Sequence, residues 1–176
     1  MKICLMSDSH GRTDRIDAVL ARYSDIEMLI HAGDHANDVL SRKDVPWKTV
    51  CGNCDAPGSA GDEEIIDILG LKVLVTHGHL YRVKQTILPL TYRAKEVGAD
   101  LVIFGHSHVP VILEEDGTIF CNPGSLSYPR GSVSVPTYGI LEVVPFSGAC
   151  RVDIQLYGMK GDPLPGFHYV HQFLKP

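Results

Sequence analysis

Five short apolar segments of this chain end in the same way, and this repetition constrains its fold more than any other feature. Each segment is rich in strand-forming residues and stops at a turn that combines glycine with aspartate, asparagine or histidine. The turns are Asp8-Ser9-His10-Gly11, Gly33-Asp34, Gly52-Asn53, His77-Gly78-His79 and Gly105-His106-Ser107-His108. Ligands of an open α/β sheet bind outside the carboxyl ends of its strands, so we expect these side chains to converge on one patch.

The spacing of apolar residues predicts an α/β fold. Strands are expected at 2–7, 27–31, 47–50, 64–69, 71–76 and 100–104, and helices at 13–23 and 83–97, the second of which Pro89 should kink or split. Asp116-Gly117 predicts a hairpin between strands at 111–115 and 118–121, followed by strands at 138–144 and 150–156. We therefore predict a single domain over residues 1–156 and, because Gly and Pro are frequent there, an irregular tail over 157–176.

Charge and composition exclude several classes of function. The net charge is −5, from 16 Lys and Arg against 21 Asp and Glu, which argues against a broad nucleic-acid-binding footprint. No apolar run approaches the roughly 18–20 residues of a membrane span, and the first apolar run is too short for a signal peptide. The five scattered cysteines form no disulfide framework. These features predict a cytoplasmic protein.

The turns carry a donor set suited to transition metals. Oxygen ligands come from Asp8, Asp34 and Asn53, and nitrogen ligands come from four histidines, namely His10, His77, His106 and His108. Mixed carboxylate and imidazole ligation suits Mn, Fe, Zn, Ni or Co, whereas calcium prefers oxygen alone. Seven ligands exceed what one ion with an open position can use, so we predict two divalent ions. Because two dications about 4 Å apart repel by roughly 15–20 kcal/mol at an effective dielectric near 20, a carboxylate should lie between them.

The order D-x-H, GD, GN, H and G-H-x-H resembles the motif series of the calcineurin-like metallophosphoesterases, over residues 1 to about 125. Gly-Asn-Cys-Asp at 52–55, Thr-His-Gly-His at 76–79 and Asn-Pro-Gly-Ser at 122–125 are similar to the small bacterial and archaeal phosphodiesterase subfamily. The resemblance implies a four-layer α/β/β/α sandwich and a phosphodiesterase of small molecules, whose nucleophile is a hydroxide that bridges two metal ions. Manganese is the expected metal, with Ni, Fe, Zn and Co as alternatives.

The resemblance also implies a role for each residue. The first metal would take Asp8, His10 and His108, the second would take Asn53, His77 and His106, and Asp34 would bridge them. Besides Asp34 and Asn53, we place Cys54 and His79 in the catalytic group. His79 has no ligand role in the motif series, so it either faces the phosphate or is structural.

Cys54 departs from the commoner form of the motif. Many relatives have a histidine at this position, poised to protonate the leaving group. A thiol with an ordinary pKa near 8.5 is a poorer acid for an alkoxide, so we expect slow turnover of unactivated esters.

Two other classes of function compete with this interpretation. A non-catalytic scaffold on the same fold, similar to the retromer subunit, could dispense with the ligands, but this chain keeps all seven. A redox role for Cys51-x-x-Cys54 is disfavoured because Gly52-Asn53 already forms a metal turn. Arg130 is a candidate contact for the substrate phosphate. The aromatic residues of the tail (Phe167, Tyr169 and Phe173) should pack on their own domain or on a second copy, which would make the protein a homo-oligomer.

Overall fold

The computed structural model describes residues 1–174. Two sheets and three helices make up this part of the chain. In order, the elements are β1 (Lys2–Met6), α1 (Thr13–Leu20), β2 (Met28–His31), α2 (Asn37–Leu40), β3 (Trp47–Thr49), β4 (Glu63–Ile68), β5 (Leu71–Thr76), α3 (Leu88–Val97), β6 (Leu101–Ile103), β7 (Val111–Glu115), β8 (Thr118–Asn122), β9 (Thr137–Phe146), β10 (Ala149–Gly158) and β11 (Pro163–Leu174).

The strands form two mixed sheets. The first has the order β11-β10-β9-β1-β2-β3, and its parallel strands are β1, β2 and β3. The second has the order β4-β5-β6-β8-β7, with β5, β6 and β8 parallel. The predicted hairpin at Asp116-Gly117 is confirmed, because both residues have positive φ (52° and 78°) between the antiparallel strands β7 and β8.

The two sheets pack face to face with helices on both outer surfaces. Leu5 and Ile30 of the first sheet meet Val73 and Ile103 of the second in one buried core. Helices α1 and α2 cover the outer face of the first sheet, and α3 covers that of the second. The four-layer α/β/β/α sandwich implied by the resemblance is therefore confirmed.

Strand β1 illustrates why the apolar runs are continuous. Ile3 and Leu5 point into the core between the sheets, whereas Cys4 and Met6 point toward the helices. All four are fully buried, because a strand covered on both faces has no solvent-exposed side for a polar residue. Cys121 and Cys150 are likewise buried in the core.

The prediction of an irregular tail is wrong. Residues 163–174 form β11, which pairs antiparallel with β10, and the predicted boundary at residue 156 falls inside β10. Pro163, Pro165 and Gly166 obscured this strand, but they lie at the beginning of an edge strand, where they are tolerated. Beyond them Phe167, Tyr169 and Phe173 alternate with exposed residues and pack against the core, so the predicted docking on the chain's own domain is confirmed. The last two residues of the predicted tail, 175 and 176, lie outside the described residues.

The second predicted helix also differs from the structure. It begins at Leu88 rather than at residue 83, and Pro89 lies in its first turn instead of kinking it. Proline is favoured there because the first amide groups of a helix have no partner to lose. Gly98 ends the helix in the left-handed conformation, as expected. The short helix α2 was not predicted. Within residues 1–174, the helices lack the length and apolar character needed to cross a bilayer.

Candidate metal centre

The predicted turns meet at one end of the sandwich, but they come from two facing sheets rather than from one. Asp8 follows β1 and Asp34 follows β2, both in the first sheet. His77 and His106 follow β5 and β6 in the second sheet. Because the carboxyl ends of all four strands point to the same end of the sandwich, side chains of both sheets reach a common space.

The backbone of these turns is bent into the left-handed region. Six of the nine non-glycine residues with positive φ among residues 1–174 lie here, namely Asp8, His10, Asp34, His35, His106 and His108. This region is uncommon for residues other than glycine, although Asp, Asn and His tolerate it best. Each such residue costs about 1–3 kcal/mol and persists only where the surroundings hold it in place, and such strain is concentrated at functional sites.

Two glycines let the turns approach one another closely. A Cβ on Gly52 would overlap the Asp34 carboxylate and its backbone nitrogen. A Cβ on Gly33 would lie 2.8 Å from Nδ1 of His77, and Gly33 also has a φ of +84°. The absence of a side chain at these two positions therefore allows the backbone to lie close to Asp34 and His77.

Asp8, His10, Asp34 and His108 form the tightest group of ligands. One ligand atom from each lies within 4.8 Å of the others. Oδ1 of Asp8 lies 3.0 Å from Nε2 of His108 and 4.0 Å from Nε2 of His10. These are the four residues that the resemblance assigns to the first metal and to the bridge.

The two oxygens of Asp34 face two different histidines. Oδ2 lies 3.7 Å from Nε2 of His10, and Oδ1 lies 3.3 Å from Nε2 of His77. The His77 ring lies beside that of His106, with 5.1 Å between their centroids. Burial opposes ionisation of Asp34, but the His77 ring and the backbone N–H of Cys54 outweigh it and hold its pKa well below the usual range. The carboxylate stays charged between two groups of donors.

The unpartnered atoms of the site fit a divalent cation. Nδ1 of His77 donates to the carbonyl of Ala32 (2.7 Å) and Nδ1 of His108 donates to that of Tyr128 (2.7 Å), so both rings turn Nε2 toward the centre, where a ring without a proton on that atom can bind a metal. Oδ1 of Asp8 and Nε2 of His77 are buried with no hydrogen-bond partner among the described residues. Buried lone pairs that face one another without a proton are costly unless a cation lies between them.

Asn53 and Cys54 lie at the exposed rim of the site. The Cys54 backbone N–H donates to Oδ1 of Asp34 (2.8 Å), and Nδ2 of Asn53 donates to the Cys54 sulfur (3.3 Å). The Asn53 turn thus touches the predicted bridging residue, while the Asn53 side chain bonds to the thiol. Partial burial, together with the Asp34 carboxylate, raises the pKa of Cys54 to about 11.

His79 lies on the second-sheet side of the site. Its ring centroid is 5.4 Å from that of His77 and 6.1 Å from that of His106. Its Nδ1 is buried with no hydrogen-bond partner among the described residues. Burial lowers its pKa and His77 lowers it further, so the ring is neutral at pH 7.

The loop after β8 supports the site in ways that the sequence only partly signalled. Ser125 donates to the carbonyl of Asp8 (2.9 Å), and Asn122 donates to that of Gly105 (2.8 Å). Both belong to the Asn-Pro-Gly-Ser motif at residues 122–125. Tyr128 was missed, because a backbone carbonyl that orients His108 leaves no trace in the residue type.

Three further residues lie around the site. His31 is buried and bonds through its ring to Ser9 (2.9 Å), and burial lowers its pKa to about 4. Arg130 contacts the site through its backbone, since its N–H donates to the carbonyl of His108 (3.1 Å), and its side chain is exposed. The His35 ring lies 5.3 Å from that of His10.

Known proteins resemble this chain over most of its length. A model of the calcineurin-like phosphoesterase superfamily domain matches residues 1–144. The probable metallophosphoesterase YsnB of Bacillus subtilis is 39% identical over 131 residues, which cover 74% of this chain and 78% of that protein. Phosphodiesterase MJ0936 of Methanocaldococcus jannaschii is 30% identical over 163 residues, which cover 81% and 93% of the two chains.

Solved structures share the fold. A protein of Streptococcus pneumoniae described as a predicted phosphoesterase superimposes with a TM-score of 0.80 at 28% identity and covers 97% of each chain. Vps29 of Entamoeba histolytica superimposes over the whole of both chains with a TM-score of 0.72, but at 19% identity the likeness concerns the fold alone.

Proposed function

The chain belongs to the calcineurin-like phosphoesterase superfamily, and we propose that it is a phosphodiesterase that works with two divalent metal ions. The observation that carries this proposal is the position of Asp34. Its two oxygens face His10 on one side and His77 on the other, at 3.7 and 3.3 Å. A carboxylate between two sets of donors is what a pair of mutually repelling cations requires.

The residues divide into two ligand sets. Asp8, His10 and His108 would hold one ion, Asn53, His77 and His106 would hold the other, and Asp34 would serve both. When bound, the ions supply Lewis acidity and make hydroxide available as a nucleophile near neutral pH. Manganese is the expected metal, and Ni, Fe, Zn or Co suits the same donors.

The charge of the site favours an anionic substrate. Two dications outweigh the carboxylates of Asp8 and Asp34, so the centre is positive within a chain of net charge −5. A phosphodiester brings one negative charge and a phosphomonoester nearly two. Since the centre does not strongly require the second charge, diesters suit it, and the name of the archaeal relative agrees with this choice.

The residues around the leaving group limit the reaction to good leaving groups. The Cys54 thiol is protonated at neutral pH and, with its pKa raised to about 11, gives up its proton reluctantly. His79 is the nearest alternative, because its ring adjoins those of His77 and His106. We therefore expect aryl phosphodiesters to react faster than alkyl phosphomonoesters.

The donor geometry supports an enzyme over a scaffold. All seven predicted ligands are present, and two of them carry buried atoms with no hydrogen-bond partner among residues 1–174. A purely structural module would gain stability by replacing such groups. We further propose that the protein acts on a small molecule in the cytoplasm, where its five free thiols would stay reduced. Homo-oligomer formation stays a prediction.

The substitution Asp34→Asn tests the proposal. A neutral amide cannot offset the repulsion between two dications, so we expect loss of bound metal and of hydrolysis of bis(4-nitrophenyl) phosphate with Mn²⁺. The matched control is Asp25→Asn, which removes the same charge from an exposed aspartate near Lys2. Elemental analysis measures the bound metal, and initial rates measure the hydrolysis. Wild-type metal content and turnover in Asp34→Asn would contradict the bridging role.

A further inference from the structure

A cavity of about 430 Å³ opens beside the metal centre. It lies between the segment that precedes α3, the loop after β6 and strand β7. Its walls are mainly apolar and are formed by Val83, Ile87, Phe104, Val109 and Leu113, among others. Its volume lies within the range of about 300–1,000 Å³ that is usual for small-molecule sites.

The cavity adjoins two of the turns that carry proposed ligands. Ser107, which lines it, stands between His106 and His108 in the chain. Val83 packs so closely on Gly78, between His77 and His79, that a Cβ there would lie 2.9 Å from the valine. Residues that line the cavity therefore lie in, or pack against, the turns that carry His77, His106 and His108.

Two cations at the cavity lack a protein partner. Lys84 and Arg130 both line it, both are exposed, and neither forms an ion pair with any of residues 1–174. Some other basic residues of the chain are paired, such as Arg42 with Asp17 (2.8 Å) and Arg93 with Glu63 (2.9 Å). No acidic residue within the described part of the chain lines this cavity. Its charge is complementary to an anion.

Both cations belong to segments that contact the ligand turns. The backbone N–H of Arg130 donates a hydrogen bond to the carbonyl of His108 (3.1 Å). Lys84 follows Val83, the residue that packs on Gly78 between His77 and His79. An anionic group held by these side chains would thus be a short distance from a phosphate at the metal centre.

We propose that this cavity binds one arm of the substrate diester, an arm that carries both an apolar ring and a second anionic group such as a phosphate. The inference rests on the proposed function. The ring buries its faces against Val83, Phe104 and Leu113, and the second anion lies between Lys84 and Arg130. The planar guanidinium matches a phosphate with two parallel hydrogen bonds, and the lysine supplies a mobile point charge. Lys84 and Arg130 are therefore specificity-determining residues.

Direct binding measurements test the proposed subsite independently of turnover. The probes are thymidine 5′-monophosphate and thymidine 3′,5′-bisphosphate, titrated calorimetrically into the Mn²⁺-loaded protein. We expect the bisphosphate to bind roughly five- to thirtyfold more tightly, because two exposed ion pairs each contribute a modest amount. The double variant Lys84→Gln/Arg130→Gln should bring the ratio of the two dissociation constants, monophosphate over bisphosphate, close to one. It should leave the melting temperature unchanged.

Lys43→Gln is the matched control, since it removes an exposed lysine that precedes β3, away from the strand ends that hold the ligands. It should keep the wild-type ratio. A ratio that survives in the double variant, a wild-type ratio near one, or absence of binding by either probe would overturn the subsite.

Parallel assays with the 4-nitrophenyl esters of the same nucleotides separate this proposal from the proposed function. If the double variant loses the preference for the bisphosphate while Lys43→Gln keeps it, this result supports the subsite even when the wild-type protein hydrolyses nothing. In that case the phosphodiesterase assignment is what fails. Normal hydrolysis together with a ratio that the double variant leaves unchanged overturns the subsite and leaves the enzyme assignment intact.

Discussion

The contact between Gly33 and His77 makes a quantitative prediction about the site. An alanine at position 33 would place its Cβ 2.8 Å from Nδ1 and 2.9 Å from Cβ and Cγ of His77, closer than real side chains approach. It would also hold an L-residue at a φ of +84°. The His77 ring is fully buried, and its Nδ1 is held by the carbonyl of Ala32, so it cannot yield without moving its Nε2.

Two costs combine in Gly33→Ala. A left-handed L-residue costs about 1–2 kcal/mol, and overpacking of a buried site costs about 1–3 kcal/mol. We therefore expect the free energy of unfolding of the metal-free protein to fall by about 2–5 kcal/mol. Metal ligation tolerates ligand displacements of only about 0.2 Å, so the second ion should be lost even where the fold survives.

Gly58→Ala is a control with almost the same backbone conformation. Gly58 has a φ of +81°, and a Cβ there would meet nothing within 4 Å. The control carries the backbone penalty and the same change in the unfolded chain, so the difference between the two variants isolates the contact with His77. Denaturant unfolding and elemental analysis provide the measurements. If Gly33→Ala unfolds like Gly58→Ala and keeps the wild-type metal content, the steric argument is refuted.

Three further predictions concern the leaving group, the second ion and the edge strand. Cys54→His should raise rates on esters with poor leaving groups by up to roughly 10²–10⁴-fold and flatten the plot of log rate against leaving-group pKa; identical slopes would assign the proton to another group, such as His79. Asn53→Ala should weaken the second ion more than the first, because an amide is a neutral ligand, and excess Mn²⁺ should restore activity; full activity at limiting metal would reduce Asn53 to a turn residue. Removal of residues 163–176 should lower the melting temperature markedly, since Phe167, Tyr169 and Phe173 cover the core and each buried aromatic contributes up to about 1.5–3 kcal/mol; an unchanged melting curve would mean that β11 adds nothing.

Features that depend on neighbouring residues could be predicted from the sequence. Strands such as β1 and β5 are apolar throughout because helices and the facing sheet cover both of their surfaces, and that pattern is visible in a short window. The turns after them are equally local. Asp8, Asp34 and His77 follow their strands within one to three residues, so the ligand positions could be predicted together with the strand ends.

Features that depend on distant partners were decided only by the tertiary structure. Strand β11 carries Pro and Gly at its start and is recognisable only once β10 supplies its hydrogen bonds and the core receives its aromatic residues. The division of the ligands between two sheets, the orientation of His108 by the Tyr128 carbonyl and the cavity with Lys84 and Arg130 all join segments that lie 20 or more residues apart. A residue type records what a side chain can do chemically, but the position of its partner is set by how the sheets pack, and that is why the donor set could be predicted and its arrangement could not.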